Sequence, residues 1–416
     1  MQKYYEAPFQ MQVIEEPWIT GNTYIVSMED SIQGILGRCA GAGGGTVIVP
    51  AGEWHTGPLH LSGNVHLHFE DGAVLNFSDN PEEYLPVVFT RWEGMECYNY
   101  SPLIYAKDCE NIKVTGNVKL MGNGQSWWHW KLLQQEAANE LCYAESNHIP
   151  VSERIYGTTK AALRPSFLQF VSCKNILIDG LTFIDGPQWT LHPVYCENVI
   201  IRNTKVYSNG HNTDGLNPDS CKNVLIENCD FNTGDDCIAI NAGMNEDGWR
   251  VNKPCENVII RNCTMSGGHG AVVIGSAVSG SVRNIYAHDC KVKNTMQGIR
   301  LKSMRGRGGV VENVTFENFE IDDLSNEAIQ INMFYEFSTV VPKTNTPSVF
   351  RNITIRNVTG QGNKVGIMVR GLPEMKLKDI TLENINLKAE KAMTCDDVEG
   401  LVMKNVILQA DHTLAK

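Results

Sequence analysis

The sequence predicts an all-β protein built as a single domain, residues 1–416, with the architecture of a right-handed parallel β-helix. A sequence motif, which we call the phrase, recurs along the chain. It has the form Asn, branched apolar, any, apolar, any, Asn or Asp. Short strands of period two, rich in Val and Ile, are separated by Gly and Asn turns without helical segments between them. This combination is typical of a solenoid of stacked parallel strands.

The recurring phrase has a loose but persistent period. Its anchors are Asn175, Asn198, Asn223, Asn257, Asn284, Asn313 and Asn352, with a weaker one at Asp379. Successive anchors lie between 23 (175 to 198) and 39 (313 to 352) residues apart. A β-helix absorbs such variation as insertions at its turns, whereas a leucine-rich horseshoe would need a leucine skeleton and a helix in each repeat, which are absent.

The cysteines follow the same repeat. Four of them stand two residues before an anchor and three stand six residues after one: Cys173, Cys196, Cys221, Cys255, Cys229, Cys263 and Cys290. The chain has 13 cysteines, an odd number. We therefore expect inward, stacked, reduced thiols that pack in the core, and neither a disulfide framework nor a metal site.

The amino-terminal segment, about residues 1–45, departs from the repeat and is expected to cap it. An amphipathic stretch over 29–39 follows Ser27, a residue suited to a helix N-cap. A solenoid needs its open end covered, so the sequence predicts a capping helix there.

Composition limits the partners and the location. The net charge of −12 argues against nucleic acid, and no apolar run reaches the roughly 18 residues of a membrane helix. The first twenty residues lack the basic start and apolar stretch of a secretory signal. We expect a cytoplasmic protein, or a secreted or periplasmic one if a signal peptide has been removed; the oligomeric state is not indicated.

Stacking the strands after each anchor brings titratable residues together. One inward column contains Leu191, Leu216, Ile238, Val272 and Ile299. In this register Asp214 and Asp236 are lateral neighbours about 4.8 Å apart. Asp235 and His269 are neighbours in the adjacent column, which lies one residue earlier along each strand. Three carboxyl groups this close cannot all ionise cheaply, so one should hold a proton, as a general acid must.

A second column of the same sheet points outward. It contains His192, Asn217, Ala239, Val273, Arg300 and Gln330, with Lys302 two residues beyond Arg300. The small Ala239 and Val273 predict an open space between the carboxylates and the cations. Arg300 and Lys302 would bind an acidic substrate, and His192, Gln330 and Tyr335 are further expected substrate-binding residues.

Four motifs occur in order on the predicted strands: Asn-Thr-Asp-Gly (212–215), Gly-Asp-Asp-Cys (234–237), Gly-His-Gly (268–270) and Arg-Leu-Lys (300–302). They resemble the polygalacturonase family of glycoside hydrolases. Leu-Arg-Pro-Ser-Phe (163–167) and Trp-Thr-Leu-His-Pro-Val (189–194) are similar to its bacterial exo-acting branch. The resemblance extends over nearly the whole chain.

The resemblance implies a mechanism without cofactor or metal. Asp235 would be the general acid, Asp214 and Asp236 would activate the attacking water, and His269 would support protonation of the acid. Arg300 and Lys302 would hold the substrate carboxylate. The family inverts the anomeric centre; the spacing of the strands alone leaves inversion and retention open, because neighbours at about 4.8 Å and diagonals near 6 Å fall between the two distance ranges.

The substrate implied is α-1,4-linked galacturonic acid in pectin, either homogalacturonan or its oligomers, attacked from the chain end. Asn241 and Met244 stand where the exo branch commonly has basic residues. A pectic substrate with neutral sugars or esters, such as rhamnogalacturonan, therefore stays open. A calcium-dependent pectate lyase and a non-catalytic carbohydrate-binding solenoid are the more remote alternatives.

The segment 124–162 interrupts the repeat just before the predicted site. It contains Trp127, Trp128 and Trp130 and a helix-like stretch near 131–143. We expect this insertion to lie over the cleft and to restrict attack to chain ends, the other interpretation being a purely packing role. Its tryptophans suit either stacking on sugar faces or packing in the interior.

Overall fold

A computed structural model describes residues 3–335 and 343–410. The predicted fold is confirmed: the chain is a right-handed parallel β-helix whose strands stack in register from coil to coil. Each coil contributes strands to three faces, which we call the first, second and third face in the order in which the chain reaches them after an anchor asparagine.

The first face begins at the anchors. Its strands are Asn22–Ile25, Gly45–Val49, Val65–Phe69, Glu110–Gly116, Lys174–Asp179, Glu197–Arg202, Lys222–Glu227, Cys255–Arg261, Val282–Lys293, Val310–Asp322, Val349–Arg370, Leu377–Asp396 and Val398–Ala410, the later of which continue around the coil. The strands of the second face are Gly52–Thr56, Ala73–Phe77, Lys119–Met121, Thr182–Ile184, Lys205–Ser208, Asp230–Thr233 and Thr264–Gly267.

The third face carries the predicted site. Its strands are Leu59–His60, Ile104–Lys107, Leu168–Val171, Leu191–Val194, Ile238–Ile240, Gly270–Ile274, Gln297–Lys302 and Glu327–Asn332. An antiparallel hairpin, Val88–Trp92 with Met95–Asn99, stands outside the three faces. The helices are α1 (Ile32–Gly41), α2 (Gln125–Trp128), α3 (Gln135–Ser146) and α4 (Asn245–Val251), with 3₁₀ turns at Pro81–Tyr84, His129–Leu132 and Val151–Glu153.

The anchor asparagines explain why the phrase recurs. Asn175, Asn198 and Asn223 have φ angles of 54°, 58° and 54°, in the left-handed region that asparagine tolerates better than most residues. Each amide also donates to the side-chain oxygen of the anchor one coil earlier, over 3.0 Å from Asn198 to Asn175 and 3.1 Å from Asn223 to Asn198. The anchors thus turn the chain and tie neighbouring coils together.

The interior is a continuous apolar stack in which the cysteines pack as predicted. Cys173, Cys196, Cys221 and Cys255 are buried and carry free thiols. Lateral neighbours such as Cys229 and Cys263 lie in the same interior stack. Small side chains suit these positions because residues of one column repeat at the strand spacing of about 4.8 Å.

Helix α1 covers the amino-terminal end of the solenoid. It buries Ile32, Ile35, Leu36 and Cys39 against the first coils. Its N-cap is Ser31, whose Oγ accepts from the Gly34 amide, and not Ser27 as the sequence suggested. Ser27 instead donates to the side chain of Asp30 before the helix begins.

Residues 5–14, which we call the strap, lie across the outside of the first face. The strap folds back on itself, and the Tyr5 amide donates to the Met11 carbonyl over 3.0 Å. Its apolar residues Tyr5, Ala7, Phe9, Met11 and Ile14 contact one outward residue from each of four successive strands: Leu177, Ile200, Leu225 and Ile259. Those outward residues are apolar because the strap removes them from water.

The insertion, the hairpin and α4 pack against one another beside the third face. Trp92, Met95, Cys97, Leu141 and Leu163 form an apolar cluster between them. A buried ion pair joins Arg154 Nη1 to Asp247 Oδ2 over 2.7 Å. We call these three segments together the wall.

Within the described ranges, no helix is long and apolar enough to span a membrane.

Candidate active site

The predicted register of the third face agrees with the observed pairing. Leu191 pairs with Leu216 and Leu216 with Ile238, and Ile238 with Val272 and Val272 with Ile299. All five side chains are buried. The chain bends at 234, 235 and 237, just before the strand Ile238–Ile240. These bends release Asp235 and Asp236 from the strict alternation of a strand.

Ligand atoms of Asp214, Asp235 and Asp236 lie within 4.8 Å of one another. A cation could in principle use such a set of oxygens, but two of the three carboxylates already have cationic protein partners. Lys302 contacts Asp236 and His269 contacts Asp235. The three acids and these partners form a compact cluster of titratable groups.

Asp235 and His269 form the pair that the register predicted. His269 Nδ1 lies 2.9 Å from Asp235 Oδ1. The hydrogen bond to Asp235 raises the pKa of His269 above 6.5, although partial burial opposes the shift. Burial disfavours ionisation of Asp235, but the hydrogen bond and charge of His269, together with the charge of Lys302, lower the pKa of Asp235. The pair therefore retains one proton above the range in which a free imidazole would lose it.

Glycine at position 268 is required for this contact. Its φ is +65°, and a Cβ there would lie 2.0 Å from the carbonyl oxygen of Asp235. The next amide, of His269, donates to that same carbonyl over 3.2 Å. The close approach of the two chains seats the imidazole beside the carboxylate.

Asp236 is held by donors on neighbouring coils. The Gly270 amide donates to Oδ1 over 2.8 Å, and Lys302 Nζ donates to Oδ2 over the same distance. Arg300 Nη1 lies 3.5 Å from Oδ1. Two cationic donors suit a carboxylate that works as an anion.

Asp214 has the opposite environment. Burial and the negative charges of Asp235 and Asp236 raise the pKa of Asp214 well above its usual range, against a hydrogen bond from Asn217 and the charge of Lys302. The Asn217 amide donates to Oδ2 over 2.8 Å. Asp214 thus accepts a proton more readily than an ordinary aspartate does.

The open space expected between the carboxylates and the cations is not present. Ala239 and Val273 are buried, and Lys302 and Arg300 extend over them to reach Asp236. Small side chains in the column let the long cationic side chains lie along the sheet. The cations therefore reach the acids directly instead of standing across a gap.

His192 does not line the cleft, so its predicted contact with substrate is corrected. Its side chain is 1% exposed, and burial lowers its pKa. Nδ1 lies 2.7 Å from Gln169 Nε2 and Nε2 lies 3.4 Å from Asp219 Oδ2. Asp219 is also bound by the buried guanidinium of Arg91 from the hairpin. The imidazole belongs to a buried network that fixes the wall to the third face.

Gln330 and Tyr335 lie next to the cations. Gln330 accepts from Arg300 Nε over 3.1 Å and donates to Glu327 over 2.9 Å, which fixes the guanidinium. Lys302 Nζ lies 4.8 Å from the centre of the Tyr335 ring, and Arg300 Cζ lies 5.6 Å from it. Gln330 orients a cation, while the half-buried Tyr335 ring borders both.

The positions where basic residues were expected face the protein. The Asn241 side chain is buried and donates to the Ala239 carbonyl. Met244 packs against the apolar cluster of the wall. Trp127 and Trp130 are also buried, with ring centres 4.9 Å apart, and do not offer faces to a sugar. The departure from the exo-branch pattern at Met244 therefore concerns packing of the wall, and the departure at Asn241 concerns a buried hydrogen bond within the third face.

Sequence reasoning missed two groups that contact the carboxyls. Asn217 donates to Asp214, and Asn212 Nδ2 lies 3.5 Å from Asp235 Oδ2. Asn217 was assigned to the outward column but given no role, and Asn212 opens a motif in which only the aspartate was interpreted. Asn217 follows Asp214 by three residues and Asn212 precedes it by two. This closeness in the sequence was the available signal.

A sequence model described as "Glycosyl hydrolases family 28" matches residues 153–406. A probable polygalacturonase of Vitis vinifera is 27% identical over 88% of this chain and 72% of its own length. The exo-poly-alpha-D-galacturonosidase of Dickeya chrysanthemi is 27% identical over 78% of this chain, which spans 58% of that protein.

A solved structure is similar over almost the full length. The hyperthermoactive exopolygalacturonase from Thermotoga maritima has a TM-score of 0.90 and 36% identity, covering 95% of this chain and 94% of that one. The expectation of a cytoplasmic location is wrong, because the polygalacturonase relatives are secreted or extracellular pectinases. Since the family match covers well over half of the 416 residues and includes all four motifs, the chain belongs to glycosyl hydrolases family 28.

Proposed function

We propose that this glycoside hydrolase is an exo-acting polygalacturonase that cleaves α-1,4-linked galacturonic acid from the ends of pectic chains by inversion. The observation that supports it most is the pairing of a proton-retaining Asp235–His269 unit with two further carboxyls and two cations on one face. A relative of 36% identity is an exopolygalacturonase. A uronate substrate supplies the carboxylate that Arg300 and Lys302 are suited to bind.

In the proposed reaction, Asp235 protonates the glycosidic oxygen as the bond to the anomeric carbon breaks. The proton comes from the unit that Asp235 shares with His269, whose raised pKa retains it. The His269 side chain is 47% exposed, so solvent can return a proton after each turnover. This arrangement keeps Asp235 supplied even though its own pKa is lowered.

Asp214 and Asp236 act on the water that attacks the anomeric carbon. Asp236, anchored by Lys302 and Gly270, orients the water. The raised pKa of Asp214 suits it to accept a proton from that water. The water thus gives one proton to the carboxyl pair and its oxygen to the sugar, while the leaving group receives the proton of Asp235.

The wall is proposed to make the enzyme act at chain ends. Helix α3 and the hairpin pack on α4 just after the strand Ile238–Ile240, and Trp128 lies against Gly210, near the Asn-Thr-Asp-Gly motif. Their mutual burial makes the wall rigid beside the carboxyls. A polymer that must pass this barrier can place only its terminal residues at the bond-breaking site.

The order of product formation tests the proposal. With polygalacturonate and saturated oligogalacturonides as substrates, we expect monomer as the first product from both, because only terminal bonds are accessible. Chromatography of the earliest products decides. A ladder of oligomers would contradict exo action, and release only from rhamnogalacturonan would favour that alternative substrate. Unsaturated products that disappear with a chelator would indicate a lyase.

The dependence of activity on pH should reflect the Asp235–His269 pair. Because the pKa of His269 is raised, its proton is present below 6.5 and is lost only as the pH rises through the higher value. We therefore expect the alkaline limb of kcat/KM to lie above 6.5. NMR titration of the His269 imidazole should give the same midpoint. An alkaline limb below the ordinary histidine range would contradict the assignment.

A further inference from the structure

The Leu-Arg-Pro-Ser-Phe motif (163–167) contains a buried cation behind the catalytic cluster. Arg164 has no exposed surface, and its guanidinium contacts three loops. Resting on the proposed role of Asp235, we infer that Arg164 is a positioning residue for this acid: acting through Asn212, it sets which end of an amide faces Asp235.

The contacts of Arg164 account for the position of its guanidinium. Nε donates to Gln134 Oε1 over 3.1 Å, and Nη1 donates to the carbonyls of Pro187 (3.1 Å) and His211 (2.7 Å). Nη2 donates to Asn212 Oδ1 over 2.9 Å. The planar fork thus joins the insertion to the turn that precedes Asp214.

None of these partners neutralises the charge. Among the residues that the structure describes, Arg164 makes no ion pair with a carboxylate. Burial lowers its pKa to about 10, and the charges of Glu93 and Asp235 act in the opposite direction. A buried cation without a counter-ion is costly, which argues that its position serves the site and not stability alone.

Asn212 links Arg164 to the acid, and the arginine decides its orientation. A guanidinium only donates, so the side-chain oxygen of Asn212 must face Arg164. The amide nitrogen then faces Asp235 Oδ2, at 3.5 Å. Without Arg164 the amide could turn over and present its oxygen to Asp235.

The orientation matters because of where the proton of Asp235 must go. Oδ1 already accepts from the Asp236 amide and from His269, so Oδ2 is the oxygen available to the leaving group. An amide oxygen facing Oδ2 would bind the acid proton and divert it from the substrate. An amide N–H facing Oδ2 leaves its proton free for transfer.

Two substitutions of Arg164 distinguish the effect of its planar guanidinium from the effect of its positive charge. Arg164→Lys keeps the cation but cannot hold Asn212 and the two carbonyls together, so kcat should fall roughly 10-fold or more with the alkaline limb unmoved. Arg164→Gln also removes the charge, so the limb should move to higher pH by roughly 0.5–1 unit. KM should change little in both because Arg164 is buried away from the cleft.

Asn212→Gly provides a milder test of the same link. Asn212 has a φ of 57°, which glycine adopts without strain, so the turn should persist while the bridging amide is lost. We expect kcat to fall by less than in Arg164→Lys, because Asp235 Oδ2 loses its amide N–H neighbour but no amide oxygen can take that place. KM should be conserved. If Arg164→Gln does not yield folded protein, this variant decides the proposal.

A matched control is Arg154→Lys, a substitution of a buried arginine of the wall that pairs with Asp247 and not with any of the three site aspartates. It should lower Tm without moving the alkaline limb. The inference is overturned if the Arg164 and Asn212 variants lose only Tm, with kcat and pH profile of the parent. It is supported if the Arg164 and Asn212 variants lose kcat and the alkaline limb of Arg164→Gln moves to higher pH.

A readout without turnover separates this inference from the proposed function. In the Arg164→Gln protein the midpoint of the His269 imidazole, followed by NMR, should rise because a positive charge that interacts with its partner Asp235 is lost. If the parent releases no galacturonate while this midpoint shifts, the proposed substrate fails and the positioning role stands. If the parent is active but the His269 midpoint is the same in the parent and in Arg164→Gln, the positioning role alone is contradicted.

Discussion

Replacing Asp235 by asparagine should lower kcat by at least about 10²-fold, because general acid catalysis typically contributes that much or more. The amide is nearly the same size and still accepts from the Asp236 amide, so the turn should be kept. It cannot donate a proton of suitable acidity to the glycosidic oxygen. Initial rates on saturated oligogalacturonides measure the loss, and KM should change far less than kcat.

Asp230→Asn is the matched control for this prediction. Asp230 lies five residues earlier on the second face, where it accepts from the Tyr207 hydroxyl over 2.6 Å. The same chemical change there should leave kcat unaltered. An Asp235→Asn enzyme with near-parental turnover would reject the assigned acid, whereas binding that persists without any turnover in the parent would favour a carbohydrate-binding solenoid.

The sequence was sufficient for the register because the side chains that determine it are inward and apolar. Leu216, Ile238 and Val272 can occupy one column only if the strands stack without slippage, since a slip by one residue would expose all of them. Once that column is fixed, Asp235 must lie beside His269. This explains why the central pair of the site was predictable without coordinates.

Side-chain reach was not predictable in the same way. Lys302 and Ala239 were placed correctly along the sheet, but the direction of the lysine decides whether a gap or an ion pair lies between them. The structure shows the ion pair with Asp236. Long flexible side chains choose among rotamers by tertiary contacts that strand periodicity does not contain.

The sequence indicated the insertion at 124–162, but it could not predict the strap or the packing of the hairpin on the third face, for a different reason. The apolar outward residues Leu177 and Ile200 pack on Met11 and Ile14, more than 160 residues away in the chain. His192 likewise looked outward by period but is covered by the hairpin bearing Arg91. Such contacts depend on how irregular segments return to the solenoid, and no local pattern specifies that path.

Replacing Lys302 by methionine should lower kcat/KM by roughly 10²-fold, about 3 kcal/mol, because one partner of a buried charge pair is removed. The Lys302 side chain is 8% exposed and lies 2.8 Å from Asp236. Its charge also opposes the raised pKa of Asp214. Without it the pKa of Asp214 should rise further, so the acid limb of the pH profile should move to higher pH.

Methyl-esterified and free digalacturonate distinguish a substrate contact from an effect on the aspartates. If Lys302 binds the uronate carboxylate, the parent should strongly prefer the free acid and Lys302→Met should lose most of that preference. Lys293→Met, which removes an exposed lysine from the same coil, should keep it. Equal discrimination in parent and Lys302→Met would confine Lys302 to holding Asp236, and Arg300, 12% exposed beside it, would then be the cation left to read the substrate charge.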